Sequence, residues 1–217
     1  MSRDALIARL LRPERLMVAG VAPLQPGEGF PPHLQTAVLI APEEPAFWPH
    51  VTASAEFADG RPDPLDRWSR RVIGRLACRL RTKAAFPFGG PPYRPFIAWA
   101  LRSGRAHASP VTLLVHDVAG LFISYRGAIL LPEVIAPEAT PRPCDTCAGQ
   151  PCRTACPAGA LTPAGYDVPA CHAWLDTGPD CLNGCLVRRA CPVGQDRRSS
   201  IQSAYHMRRF HPAKEAP

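Results

Sequence analysis

Apolar residues recur at helical spacing along residues 66–80. Trp68, Val72, Ile73, Leu76, Ala77 and Leu80 form one stripe, and Arg67, Arg70, Arg71, Arg75, Arg79 and Arg81 fall mostly outside it. That period predicts an amphipathic helix. The opening run after Ser2, Asp-Ala-Leu-Ile-Ala-Arg-Leu-Leu, has the same spacing, with Ser2 as its cap and Pro13 beyond its end. Residues 16–21 and 36–41 are short apolar runs edged by Pro and Gly, the pattern of strands. Residues 42–64 read as irregular and 95–101 as a short helix. Residues 111–116 and 121–131 read as two strands joined tightly through 117–120. Phe86-Pro87-Phe88-Gly89-Gly90-Pro91-Pro92-Tyr93 is too rich in turn residues for a central strand. Residues 140–143 form a proline-broken linker, and 200–210 return to helical spacing at Ile201, Ala204, Tyr205 and Met207.

These elements predict an α+β protein: a small mixed sheet with helices over residues 1–140, then an α-rich lobe over 141–217. The chain has 217 residues, 46% of them hydrophobic, enough for one core or a core with an appendage. The N-terminus has no unbroken apolar segment with a small-residue cleavage site. No stretch approaches the ~18 apolar residues of a membrane span. A cytoplasmic protein with no membrane partner is expected. The formal charge of +7 suits solubility and admits an acidic partner without demanding one.

Cysteine changes the picture. Eight of the nine lie between Cys144 and Cys191. One run reads Cys144-Asp-Thr-Cys147-Ala-Gly-Gln-Pro-Cys152-Arg-Thr-Ala-Cys156-Pro157. Then come Cys171 and Cys181-Leu-Asn-Gly-Cys185-Leu-Val-Arg-Arg-Ala-Cys191-Pro192. Bunched thiols in a reducing compartment point to metal rather than to disulfides. Thiolate is the soft ligand that iron–sulfur clusters take, and eight thiols match two four-iron cubanes. The gap before Cys156-Pro157 matches the tail of the bacterial ferredoxin run, whose last Cys serves the other cluster. By that logic cluster A takes Cys144, Cys147, Cys152 and Cys191, and cluster B takes Cys156, Cys171, Cys181 and Cys185. Two other readings are one cluster with stray thiols, and zinc. Zinc sites favour two separated Cys or Cys/His pairs rather than Cys-Pro ends. Cys78, alone in the helix at 66–80, reads as a small buried hydrophobe outside the site, and His172 as a bystander. Holding two oxidised clusters would bring the charge to about +3.

Residues 144–192, with a lone Cys171 between the two runs, resemble the iron–sulfur module at the C-terminus of epoxyqueuosine reductase. Ser109-Pro110-Val111, Ala119-Gly120-Leu121 and Gly127-Ala128-Ile129-Leu130-Leu131 are similar to the stretch leading into that module. The chain also resembles short bacterial 4Fe–4S dicluster ferredoxin-like proteins at residues 63–68, 86–93, 125–128 and 206–207. The reductase likeness implies a cobalamin-bearing α/β domain, a tRNA substrate and a general-acid aspartate. His107 stands where that aspartate would be, and the helical repeats of some members are missing.

The remaining candidates are weaker. Phe88-Gly89-Gly90 has too few glycines for a phosphate loop. Asp63, Asp66 and Arg67 read as a helix N-cap with a surface ion pair. Arg126 reads equally as a cofactor contact or as the partner of a carboxylate. Arg153, Arg188 and Arg189 in the cysteine loops read first as solvated, with raising the clusters' reduction potential as the alternative; Arg197, Arg198, Arg208 and Arg209 after them read first as solvated, with docking of an acidic redox protein as the sharper alternative. The expected function is one-electron transfer through two 4Fe–4S clusters between redox partner proteins, with no catalytic side chain. One alternative is an iron–sulfur-dependent reductase with a corrinoid or flavin in the N-terminal part. Another is a structural or redox-sensing iron–sulfur protein.

Overall fold

A computed structural model of the chain describes residues 3–211. The expected cap Ser2 lies outside the described residues. The chain divides into two compact units. One contains the residues up to Ala106 together with Ser124–Thr140, and the other contains His107–Ile123 together with the residues from Pro141 on. The sequence reading keeps 1–140 together, whereas 107–123 clusters with the cysteine-rich part. Val111, Val115 and Leu121 are buried in one apolar cluster with Cys152, Leu161, Val187 and Cys191, so what buries this segment lies in the second unit.

The chain begins with α1 (Arg3–Leu11), β1 (Leu16–Pro23), β2 (Thr36–Pro42), α2 (Phe47–Thr52), α3 (Ala55–Ala58), α4 (Pro64–Arg79), β3 (Lys83–Ala85) and α5 (Phe96–Arg102). β4 (Ala106–Ala108) and β5 (Leu114–His116) follow, and β6 (Gly127–Leu131) then joins the sheet of the first unit. That sheet has the order β1-β2-β6-β3. The class is α+β, but every neighbouring pair is antiparallel, not mixed. β2 and β3 do run the same way, with α4 between them in sequence. β6 lies between them in space, which leaves no parallel contact. β2 and β6 are buried along their whole length, which is why they read as continuous apolar runs rather than as alternating ones.

α4 buries Trp68, Val72, Ile73, Leu76 and Ala77 of the stripe that its spacing predicts, together with Leu65 and Ser69, whereas Leu80 lies past its end and is half-buried. Trp68 meets Phe47 edge-on, with ring centroids 5.5 Å apart. Burying aromatic side chains of this size contributes roughly 1.5–3 kcal/mol each. The helix start differs from expectation. Asp63 is left-handed (φ 53°), its side chain caps nothing, and Pro64 begins the helix. A side-chain cap normally needs extended backbone at that position. The ion pair is present but elsewhere, from Arg67 to Asp59 at 2.7 Å. Two short helices, α2 and α3, occupy the stretch read as irregular.

The expected hairpin over 111–131 does not form. β5 pairs with β4, and the turn at 117–120 is closed by reciprocal backbone hydrogen bonds between His116 and Gly120, both 3.0 Å. Leu121, Phe122 and Ile123 are buried without strand pairing. The second unit continues with β7 (Leu161–Thr162), β8 (Gly165–Tyr166), α6 (Val168–Thr177), α7 (Leu186–Ala190) and α8 (Ser200–Phe210). Asp167 caps α6 by accepting from the Ala170 amide at 2.9 Å, and Ser199 caps α8 by accepting from the Gln202 amide at 3.1 Å. Among the described residues, no helix is long and apolar enough to cross a membrane.

Candidate metal centre

The cysteines are carried by short turns rather than by long helices. Cys144 lies in a single 3-10 turn, Pro143–Asp145, and Cys152 in another, Pro151–Arg153. Proline suits the first position of each, because its φ is already set and no amide donor is needed there. Cys181 sits in the turn Pro179–Asn183, Cys171 on α6, and Cys185 and Cys191 at the two ends of α7. Gly184, between Cys181 and Cys185, has φ 131°, and a Cβ there would fall 2.8 Å from the Cβ of Ser203 on α8. Only glycine lets this loop pass so near that helix. All nine cysteines are free thiols.

Four thiols line one recess. Cys144, Cys147, Cys152 and Cys191 share its wall with Ser109, Pro110, Val115, Leu121, Gln150 and Val193, around an empty volume of ≈ 340 Å³ that includes its open mouth. Cys152 and Cys191 are buried, and Cys144 and Cys147 half-buried. Burial pushes the Cys144 thiol up, and charge on Cys152, Cys191 or Cys147 would push it further. Cys152 is likewise raised by burial, then by Cys191 and Cys147. The 107–123 segment helps to close this site. Gly120 (φ 55°) approaches the Val193 carbonyl so nearly that a Cβ would lie 2.0 Å from its oxygen and 3.2 Å from Cys191 Sγ.

Cys156, Cys171, Cys181 and Cys185 form the second group. Burial raises the Cys171 thiol, and the fields of Cys185 and Cys156 act in the same direction. Cys181 is raised by burial, then by Cys185, Cys171 and Cys156. The sulfurs here receive donors. The Ala160 amide donates to Cys156 Sγ at 3.2 Å, and the Leu186 amide and the Tyr166 hydroxyl act against burial on the Cys181 and Cys171 thiols. Nothing in the spacing of the cysteines singles out Tyr166. Its place follows from the β7–β8 hairpin, in which it pairs with Leu161.

Other candidates fall outside these groups. Cys78 is exposed on α4, not buried, because it lies off the helix stripe. His172, beside Cys171, is engaged elsewhere: its Nδ1 is 2.5 Å from His211 Nδ1, and His211 Nε2 is 3.0 Å from Asp176. A carboxylate only accepts, so His211 Nε2 carries a hydrogen toward Asp176. His107 is half-buried, two residues before Ser109 of the recess, and its buried Nε2 has no hydrogen-bond partner among the described residues. Arg188 is not solvated: it is half-buried and donates to the Leu121 carbonyl. Arg198 donates to the Phe122 carbonyl at 2.7 Å. Arg153 and Arg189 are exposed. In the first unit Arg126 resolves toward a carboxylate, donating to Asp66 and to Ser69 Oγ (3.0 Å).

The donor set is thiol alone in both groups, the choice of soft iron and zinc. Among the described residues, no three His, Cys, Asp or Glu side chains close around a single-ion position. A cubane asks for a wider arrangement, since each thiolate meets a different iron. Burial favours the neutral thiols, so taking up a metal must release protons. No protein-family model matches the chain, and no curated protein matches it either.

Proposed function

We propose that the second unit holds two four-iron clusters, one on Cys144, Cys147, Cys152 and Cys191 and one on Cys156, Cys171, Cys181 and Cys185, and that the protein carries single electrons between redox proteins. The observation that carries this reading is the division of eight free thiols into two groups of four, one of them lining a single apolar recess. When bound, such clusters take up and give back one electron at a time. The chain's own part is to hold and to shield. The proline-started turns present the sulfurs, Val115, Leu121 and Val193 exclude water from the first group, and amide donors stabilise thiolate in the second. No other nucleophile or base is required. The likeness of residues 144–192 to the iron–sulfur module of epoxyqueuosine reductase supports the same chemistry, and free thiols suit a cytoplasmic setting.

Anaerobic iron and sulfide counting with paramagnetic resonance tests the proposal. About eight irons with interacting spins are expected. Zinc in place of iron, or about four irons, overturns it. Reversible reduction with no second chromophore marks a carrier, whereas an additional absorption band marks a reductase with its own corrinoid or flavin.

A further inference from the structure

The apolar spacing of α8 is not what the helix buries. Gln202 and Ser203 are buried, whereas Ile201 is 72% exposed. Ala204 and Tyr205, half-buried, and Arg208, exposed, follow Ile201 at helical spacing, so the four share one outward stripe. Contacts along α8 fix this rotation. Ser199 caps it through the Gln202 amide at 3.1 Å. Ser203 meets Gly184 so nearly that a Cβ on the glycine would fall 2.8 Å from its own, which leaves no room for a larger side chain at 203. Phe210 packs on His172, with ring centroids 4.6 Å apart. The inward side rests on the turn Pro179–Asn183, which carries Cys181. Residues 197–211 contain Arg197, Arg198, Arg208 and Arg209 and no Asp or Glu, with Asp196 just before them. Arg198 donates to the Phe122 carbonyl, and the neighbouring Asp176 is bonded to His211. Arg208 and Arg209 are exposed at one end of the stripe, and Arg197 lies half-buried before the other. A single exposed isoleucine is ordinary. An apolar stripe with cations toward both ends and no carboxylate in it is complementary to an acidic protein surface.

We propose that the outward stripe of α8, with Ile201 at its apolar centre and Arg197, Arg208 and Arg209 around it, docks an acidic protein partner. This rests on the electron-carrier reading above, in which that partner is the donor or the acceptor. The stripe and the turn carrying Cys181 lie on opposite sides of α8, and a helix is about 10–12 Å across. A protein seated on the stripe therefore comes near the second group of thiols. A second copy of the chain fits less well, since pairing two α8 stripes in either direction sets arginine against arginine. Nucleic acid also fits less well, because the apolar centre offers nothing to phosphate.

The test is the fluorescence anisotropy of a labelled helical peptide, with leucines along one face and glutamates on its flanks, titrated with the holo-protein. Iron is counted in the same sample. Wild type should bind the peptide, and binding should weaken as salt rises. Ile201→Glu, and separately Arg208→Glu with Arg209→Glu, should each weaken it about tenfold or more. Arg75→Glu, an exposed charge reversal on α4, should leave it unchanged. No binding by an iron-loaded wild type, or a loss as large in Arg75→Glu as in the α8 variants, overturns the inference while leaving the clusters in place. So does a labelled RNA duplex that binds more tightly than the peptide and loses affinity in the same α8 variants, or sedimentation showing a dimer that Ile201→Glu dissociates. A wild type without iron fails the earlier reading instead. If Ile201→Glu fails to fold, Ile201→Ser must still weaken binding; undiminished affinity refutes the stripe.

Discussion

At the residue scale the cysteines make the sharpest predictions. Cys152→Ser removes a buried thiol from the recess and should reduce bound iron from about eight to about four, whereas Cys78→Ser, on the exposed side of α4, should leave it unchanged. Iron and sulfide assays on the purified variants decide this. Arg126 makes a different kind of prediction. The residue is 7% exposed, and its guanidinium is bonded to Asp66 and Ser69 and lies 5.2 Å from the Phe88 ring. Arg126→Ala leaves partly buried acceptors without their donor and should cost about 2–3 kcal/mol in denaturant unfolding, with little change in iron content. The sequence left this arginine between two roles, because its partners lie some sixty residues earlier on α4. Cysteine spacing needed no such long-range knowledge, since a turn that presents thiols is a local object.

At the element scale, α3 and α4 are tied by Glu56 and Arg71, which pair through two hydrogen bonds. The pair holds the Glu56 carboxyl at about 2 rather than at its ordinary 4.5, the Arg71 hydrogen bonds outweighing the opposing effect of burial. Folding lowers this pKa, so the unfolded chain binds the proton more tightly. The stabilisation is complete above about pH 4.5 and drains away as pH falls toward about 2. Denaturant midpoints at pH 7 and pH 3 should therefore separate more in wild type than in Glu56→Gln, and equal separations would remove the pair from the account. The Gly120 turn carries a second prediction. Gly120→Ala places a Cβ against the Val193 carbonyl at a left-handed backbone position. It should lower iron retention on heating, read as the temperature of iron release. The long elements α4 and α8 were legible because one face of each is buried at helical period. The hairpin expected over 111–131 failed because unbroken apolar runs have no period, and only tertiary contacts say whether Leu121, Phe122 and Ile123 are buried by a partner strand or by packing.

At the scale of the whole molecule, each unit has a core of its own, but only one core includes cysteine sulfur. Cys152 and Cys191 belong to the buried cluster of the second unit with Val111, Leu121, Leu161 and Val187, whereas the first is built on β2, β6, Trp68 and Trp99. Loss of iron to a chelator should therefore loosen the second unit and spare the first. Hydrogen exchange followed by peptide should show amides of 144–191 losing protection while those of β2 and β6 keep theirs; uniform loss would argue against separate cores. By itself, the sequence determined the class of the fold, the long helices, the central strands and the bunching of thiols in the C-terminal part, because periodicity, turn residues and cysteine spacing are local properties of the chain. Only the tertiary structure decided that residues 107–123 belong with the cysteines, that β6 separates β2 from β3, and that Tyr166 stacks on Phe210. Those facts depend on which distant segments bury one another, and no local pattern encodes that choice.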